Sequence, residues 1–165
     1  MRRTKPRSAH AQLNRMSSRW PDLRPELSQD RRHLIWSGPL RGLQRTYEVL
    51  IQWNLRGSLY PPLVFVEEPH LKPRLNGSFE EIPHLLFNSD APEDSALCLF
   101  DPDGKEWDAT MLIADTTVPW ASEWLHHYEC WHFDGVWRGA NAPGPISVAE
   151  ILALEEEISR NLSND

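Results

Sequence analysis

Cysteine is scarce in this chain. Cys98 and Cys130 are the only two in 165 residues, too few for the disulfide framework of a small secreted domain. Long apolar runs are missing too. No stretch approaches the roughly 20 apolar residues needed to span a bilayer, and none follows the basic start as a secretory signal would. There is no overall basic excess either. The formal net charge is −7, which argues against generic nucleic-acid binding. These absences point to a cytoplasmic protein without a membrane partner, in a reducing compartment where a free thiol survives.

The rest is ordinary globular material with one excess. Hydrophobic residues make up 40% and charged residues 25%, so residues 1–165 read as one domain with a real core. Tryptophan occurs eight times, which suggests packing and also grooves or partner surfaces. Residues 1–15 carry Arg2, Arg3, Lys5, Arg7 and Arg15 and no acid. Residues 1–8 therefore read as a flexible basic arm, a possible contact for a phosphate or acidic partner. Leu13, Met16 and Trp20 stand at helical spacing, which predicts a helix from Ala9 to Trp20. Pro21 and Pro25 break it.

A β-rich block follows. In "HLIWSGPLRG" a short apolar run is expected to end in a turn at Gly38-Pro39. In "TYEVLIQWN" the residues Tyr47, Val49, Ile51 and Trp53 alternate, the period of a half-buried strand. Leu63 to Val66 forms a third run, bounded by a double proline and Pro69. Three such runs in close succession predict a small antiparallel meander. The long irregular stretch to Phe100, holding "PHLLF" and then the cysteine segment, reads as a functional loop. Helices close the chain. Thr116 or Thr117 is placed to cap one whose first turn tolerates Pro119 and whose apolar face holds Trp120, Trp124 and Tyr128. "SVAE" at 147–150 is a capping box for another, with Ile151, Leu154, Ile158 and Leu162 on one face. Helix, strands, loop, helices is an α+β plan.

Cys98 lies between Leu97 and Leu99, surroundings that suit an inert core thiol. It also directly follows the long loop and precedes the turn "DPDG", with Asp101, Asp103 and Lys105 close by. Lys105 or a backbone N–H would favour a thiolate, and the aspartates would disfavour it. A thiol hydrolase with His84 as base to Cys98 is a further reading, although no family-specific cysteine-protease signature surrounds Cys98. In "HHYECWH", His126 and Cys130 are four residues apart, with His127 and His132 beside them. A structural zinc site needs a second ligand pair, which the sequence lacks. Histidines favoured at a helix C-terminus are the preferred account.

The order of these segments resembles the ubiquitin-conjugating enzyme family. "WSGPLRGLQRTYEVLIQW" is similar to its W-x-G-x-I-x-G-P element followed by Tyr and an alternating strand. "YPPLVFV" resembles a shortened Y-P-x-x-P-P-x-V-x-F, and "LCLF" its I-C-L segment. Trp107 stands where the family often has a downstream Trp. The resemblance implies an N-terminal helix, a four-stranded antiparallel meander, C-terminal helices, and Cys98 as the active cysteine. It also marks a departure. The family's H-P-N motif supplies an Asn to the oxyanion, whereas "IPHLLF" has Pro83 and then His84. The role then falls to His84, which can supply an N–H, or less well by position to Asn88. Asp101 and Asp103 are candidates to accept a proton or tune an attacking amine.

"PH", a longer loop and "LCL" resemble the bacterial branch of that family found in CBASS antiphage operons, in its short stand-alone form. The resemblance implies a cGAS/DncV-like nucleotidyltransferase partner whose C-terminal residue becomes thioester-linked to Cys98, and so control of cyclic-oligonucleotide signalling. No metal or organic cofactor is required. The rival readings are an inert scaffold of the same fold binding the nucleotidyltransferase, a carrier served by a separate activating enzyme in a bacterial ubiquitin-like pathway, and a nucleic-acid contact through the basic arm.

Overall fold

The computed structural model describes residues 5–56, 61–100 and 106–139. Its centre is the alternating strand anticipated over residues 46–54. Tyr47, Val49, Ile51 and Trp53 all bury the same face of β3 (Thr46–Asn54). On one side β3 pairs with β2 (His33–Arg41), and on the other with β4 (Leu63–Glu68), both antiparallel. β1 (Arg24–Leu27) adds to the outer edge of β2, giving a four-stranded meander in sequence order.

One strand boundary differs from expectation. β2 does not stop at Gly38-Pro39 but alternates buried and exposed residues through to Arg41. Pro39 is tolerated because β1 reaches only as far as Ser37 on β2, so the strand has a single neighbour at Pro39. Gly38 is needed there because the backbone of Asp22 and Leu23 crosses directly over it, and a Cβ would run into the Asp22 carbonyl. The fourth strand is β1, which contains Pro25. All four of its residues are exposed, and an edge position accommodates the proline's missing N–H.

α1 (Ala9–Arg19) begins where the Ser8 hydroxyl accepts the Ala11 N–H. It is anchored by polar contacts as much as by its buried Met16. Gln12 is only 1% exposed. Its amide donates to the Met111 carbonyl and accepts the Ile113 N–H, each at 2.9 Å. Trp20 donates to the Ala114 carbonyl, and Arg15 and Arg19 both pair with Asp115. At the helix start, Arg7 bonds the carbonyls of Ala109 and Thr110. These contacts fix the 109–115 segment, which feeds into the long helix α2 (Thr117–Asp134).

α2 packs Val118, Ala121, Trp124, Leu125, Tyr128 and Trp131 into the core, whereas Trp120 is only half-buried. Thr116 stands at the N-cap position, but its hydroxyl donates back to the Leu112 carbonyl and caps nothing. The helix ends at Gly135, which is left-handed (φ 82°) and returns its N–H to Trp131. Glu129 reaches from α2 to the β2–β3 turn. Its carboxylate accepts the N–H groups of Gln44 and Arg45 and the Tyr47 hydroxyl. Burial, and then this charge, push the Tyr47 phenol well above its ordinary range. The final helix expected over 147–162 lies outside the described residues. Among those described, no helix is long and apolar enough to cross a membrane.

Gln12→Ala orphans two inward-facing backbone groups. We expect it to cost about 2–4 kcal/mol, read as a lower urea midpoint at unchanged slope.

Candidate functional site

The loop between β4 and α2 folds into a small hairpin of its own. β5 (Leu85–Leu86) pairs antiparallel with β6 (Ala96–Leu97), Leu85 opposite Leu97 and Leu86 opposite Ala96. Polar side chains build its closed end. The Asn88 amide oxygen accepts the N–H groups of Asp90 and Ala91, and the Ser95 hydroxyl accepts the Asn88 N–H. At the open end the pairing runs one step further, with the Cys98 N–H donating to the His84 carbonyl at 2.9 Å. The two residues singled out from the sequence are therefore cross-strand neighbours. Asn88, the lesser alternative, lies at the opposite end and is committed to its turn.

The His84 carbonyl also accepts the Trp124 indole N–H at 2.9 Å. Its backbone is left-handed, at φ 53°, a region few non-glycine residues occupy and in which histidine is enriched. Its ring packs on Trp137, with centroids 5.1 Å apart. Trp137 in turn touches Trp124 and His127, at 5.3 and 5.7 Å. Burial, with a smaller contribution from His127, holds the His84 imidazole below its ordinary range. This favours the neutral imidazole near pH 7, the form in which one ring nitrogen carries a proton.

Cys98 does not belong to the main core. It sits in a satellite cluster with Leu63, Leu86 and Ala96, with Phe65 packed against them. The thiol residue is 9% exposed, and its S–H lies 3.6 Å from the Phe100 carbonyl, a weak contact. Asp101, Asp103 and Lys105 fall outside the described residues. Trp107 is buried in the main core.

The histidine-rich stretch of α2 disperses around the helix. His126 is exposed, His127 lies beside Trp137 with Glu123 at 3.6 Å, and His132 packs on the rings of Tyr128 and Trp131. Among the described residues, no three His, Cys, Asp or Glu side chains are grouped to hold a metal ion. Two participants were not evident from sequence. Along the sequence Trp124 is one member of an apolar helix face, and Trp137 belongs to no periodic pattern. The available signal was a helix-stopping glycine followed two residues later by tryptophan.

The lowered His84 pKa makes a sign-definite prediction. Protonation is favoured less in the folded state than in the unfolded chain, so the contribution to stability is full above pH about 6.5 and is lost as pH falls. We expect the His84 ring signal in a proton–carbon NMR titration to have its midpoint below about 6.5; a midpoint at or above that value contradicts the reading.

Residues 12–145 match the family described as Type II CBASS E2 protein. No individually curated protein matches the chain. The matched span holds most of α1, the whole meander, the β5–β6 hairpin with His84 and Cys98, and α2. The helix–meander–helix architecture agrees with it, and the chain therefore belongs to the Type II CBASS E2 protein family of antiphage systems.

Proposed function

We propose that this protein is a conjugating enzyme that carries an acyl group as a thioester on Cys98. Its partner is a cGAS/DncV-like nucleotidyltransferase, whose C-terminal residue provides the carbonyl. The observation that carries this reading is the His84–Cys98 hydrogen bond at the open end of the hairpin. It makes His84 and Cys98 backbone neighbours across the hairpin, which supports a shared role at one reacting carbonyl.

A free carboxylate does not acylate a thiol, so the carbonyl arrives activated, as an acyl adenylate or as another thioester. The Cys98 thiol gives its proton to water and its sulfur adds to the carbonyl carbon, and the bond to the leaving group breaks when the tetrahedral intermediate collapses. Negative charge gathers on the carbonyl oxygen in the tetrahedral intermediate. His84, neutral near pH 7, donates its ring N–H to that oxygen or positions the carbonyl. An amine or water then takes the acyl group, with Asp101 or Asp103 accepting the proton. Reversible capture of the tail in this way would control cyclic-oligonucleotide synthesis.

One observation favours a second reading. The thiol residue is largely covered in an apolar cluster, which suits an inert scaffold that binds the nucleotidyltransferase. Intact-mass spectrometry of the protein co-expressed with the nucleotidyltransferase of its own operon separates the two. We expect a thiol-labile adduct on the wild type and none on Cys98→Ala. His84→Ala is expected to keep partner binding and to slow adduct formation by about 10²-fold, the usual loss for one oxyanion donor. A stable complex with no adduct in either the wild type or Cys98→Ala would establish the scaffold instead.

A further inference from the structure

Two hydrogen bonds to its carbonyl fix the backbone of His84, and ring packing bears on its imidazole. Among the described residues the imidazole packs on Trp137, three residues past the end of α2. We propose that Trp137 is a positioning residue of the site: the chain doubles back at Gly135 and clamps the His84 ring beside Trp124 and His127. This inference rests on the reading of His84 as the residue that meets the reacting carbonyl.

Three features hold the clamp in place. Gly135 adopts the left-handed conformation and returns its N–H to Trp131 at 2.7 Å. The Arg74 guanidinium lies against this turn, donating to the Trp131 carbonyl at 3.3 Å and occupying the space a Cβ on residue 135 would need. Beyond the turn, Arg138 grips both carboxylate oxygens of Asp134 and also bonds the Val136 carbonyl. Trp137 is thus bracketed by a helix stop on one side and an ion-paired arginine on the other. Gly139 then passes close to the Trp137 indole and His127, leaving no room for a side chain.

Trp124 links the clamp to the hairpin. Its indole N–H bonds the His84 carbonyl, and its ring packs on Trp137. A single side chain therefore registers both the backbone and the ring partner of His84. Among the described residues the ionisable group acting on the imidazole is His127 on α2, while Asp134 and Arg138 flank the clamp itself. The clamp shields part of the ring from water, which favours the neutral imidazole that an N–H donor role needs. A positioning role also predicts a kinetic signature. Partner affinity stays the same while the chemical step slows, because only the reacting geometry is lost.

The test compares the wild type with Trp137→Ala, Trp137→Phe and Arg138→Ala. Each is read by the His84 ring titration, by affinity for the nucleotidyltransferase, and by the rate of adduct formation. We expect Trp137→Ala to move the His84 midpoint upward and to slow adduct formation by up to about a hundredfold, with affinity unchanged. Trp137→Phe restores most of both, and Arg138→Ala, which loosens the clamp without removing a ring, falls between. Should Trp137→Ala fail to fold, the Phe and Arg138 variants carry the same comparison. An unmoved His84 midpoint, or an unchanged rate in a protein whose His84→Ala variant is impaired, overturns the proposal. If the wild type forms no adduct at all, the thioester reading fails, and the titration alone decides whether Trp137 positions the ring.

Discussion

Everything at the open end of the β5–β6 hairpin depends on one acceptor, the carbonyl oxygen of His84. It takes the Cys98 N–H from one side and the Trp124 indole N–H from the other. Each bond contributes about 1 kcal/mol net, and a buried donor left without its acceptor costs about 1–3 kcal/mol. The larger effect is geometric. The first bond sets the spacing between the two strands of the candidate site, and the second pins that pair to α2. Without the second, a two-residue ladder would have little to hold it, since short isolated hairpins are marginal in water.

α2 serves as the common mount. Towards the sheet, Glu129 fills the β2–β3 turn with its carboxylate, and Ser122 donates to the Arg41 carbonyl. Towards the hairpin, Trp124 reaches His84, and beyond its C-terminus the chain returns to cover the same ring. The start of the helix is fixed through the 109–115 segment, held by Gln12, Trp20 and two arginines of α1. A helix fixed at its start, middle and end is a rigid reference, against which a short loop hairpin can be held within fractions of an ångström.

What could be read from the sequence follows from which signals are local. β3 was legible because half of its residues bury one face, and a period of two survives in the letters. β1 was not legible, since all four of its residues are exposed and an edge strand without a buried face leaves no pattern. The Gly38-Pro39 pair imitates a turn, but it marks a crossing backbone and a missing neighbour strand, and neither is visible along the chain. At the site, Cys98 and His84 were found through their likeness to a known motif order. The register that makes them neighbours depends on a ladder between segments separated by a long loop. Trp137 had no periodic partners, because its contacts come from a reversal of direction after the helix. Asp101 and Asp103 lie outside the described residues.

The left-handed backbone of His84 limits which amino acids this position can hold, before any chemistry is considered. Branched side chains are disfavoured there, and glycine, asparagine, aspartate and histidine are the residues enriched in this conformation. Glycine has no side chain to offer, and aspartate is an anion near pH 7. Of these, asparagine and histidine bring a neutral N–H to the end of a short side chain. Histidine meets both demands, a neutral N–H donor and a backbone held at positive φ.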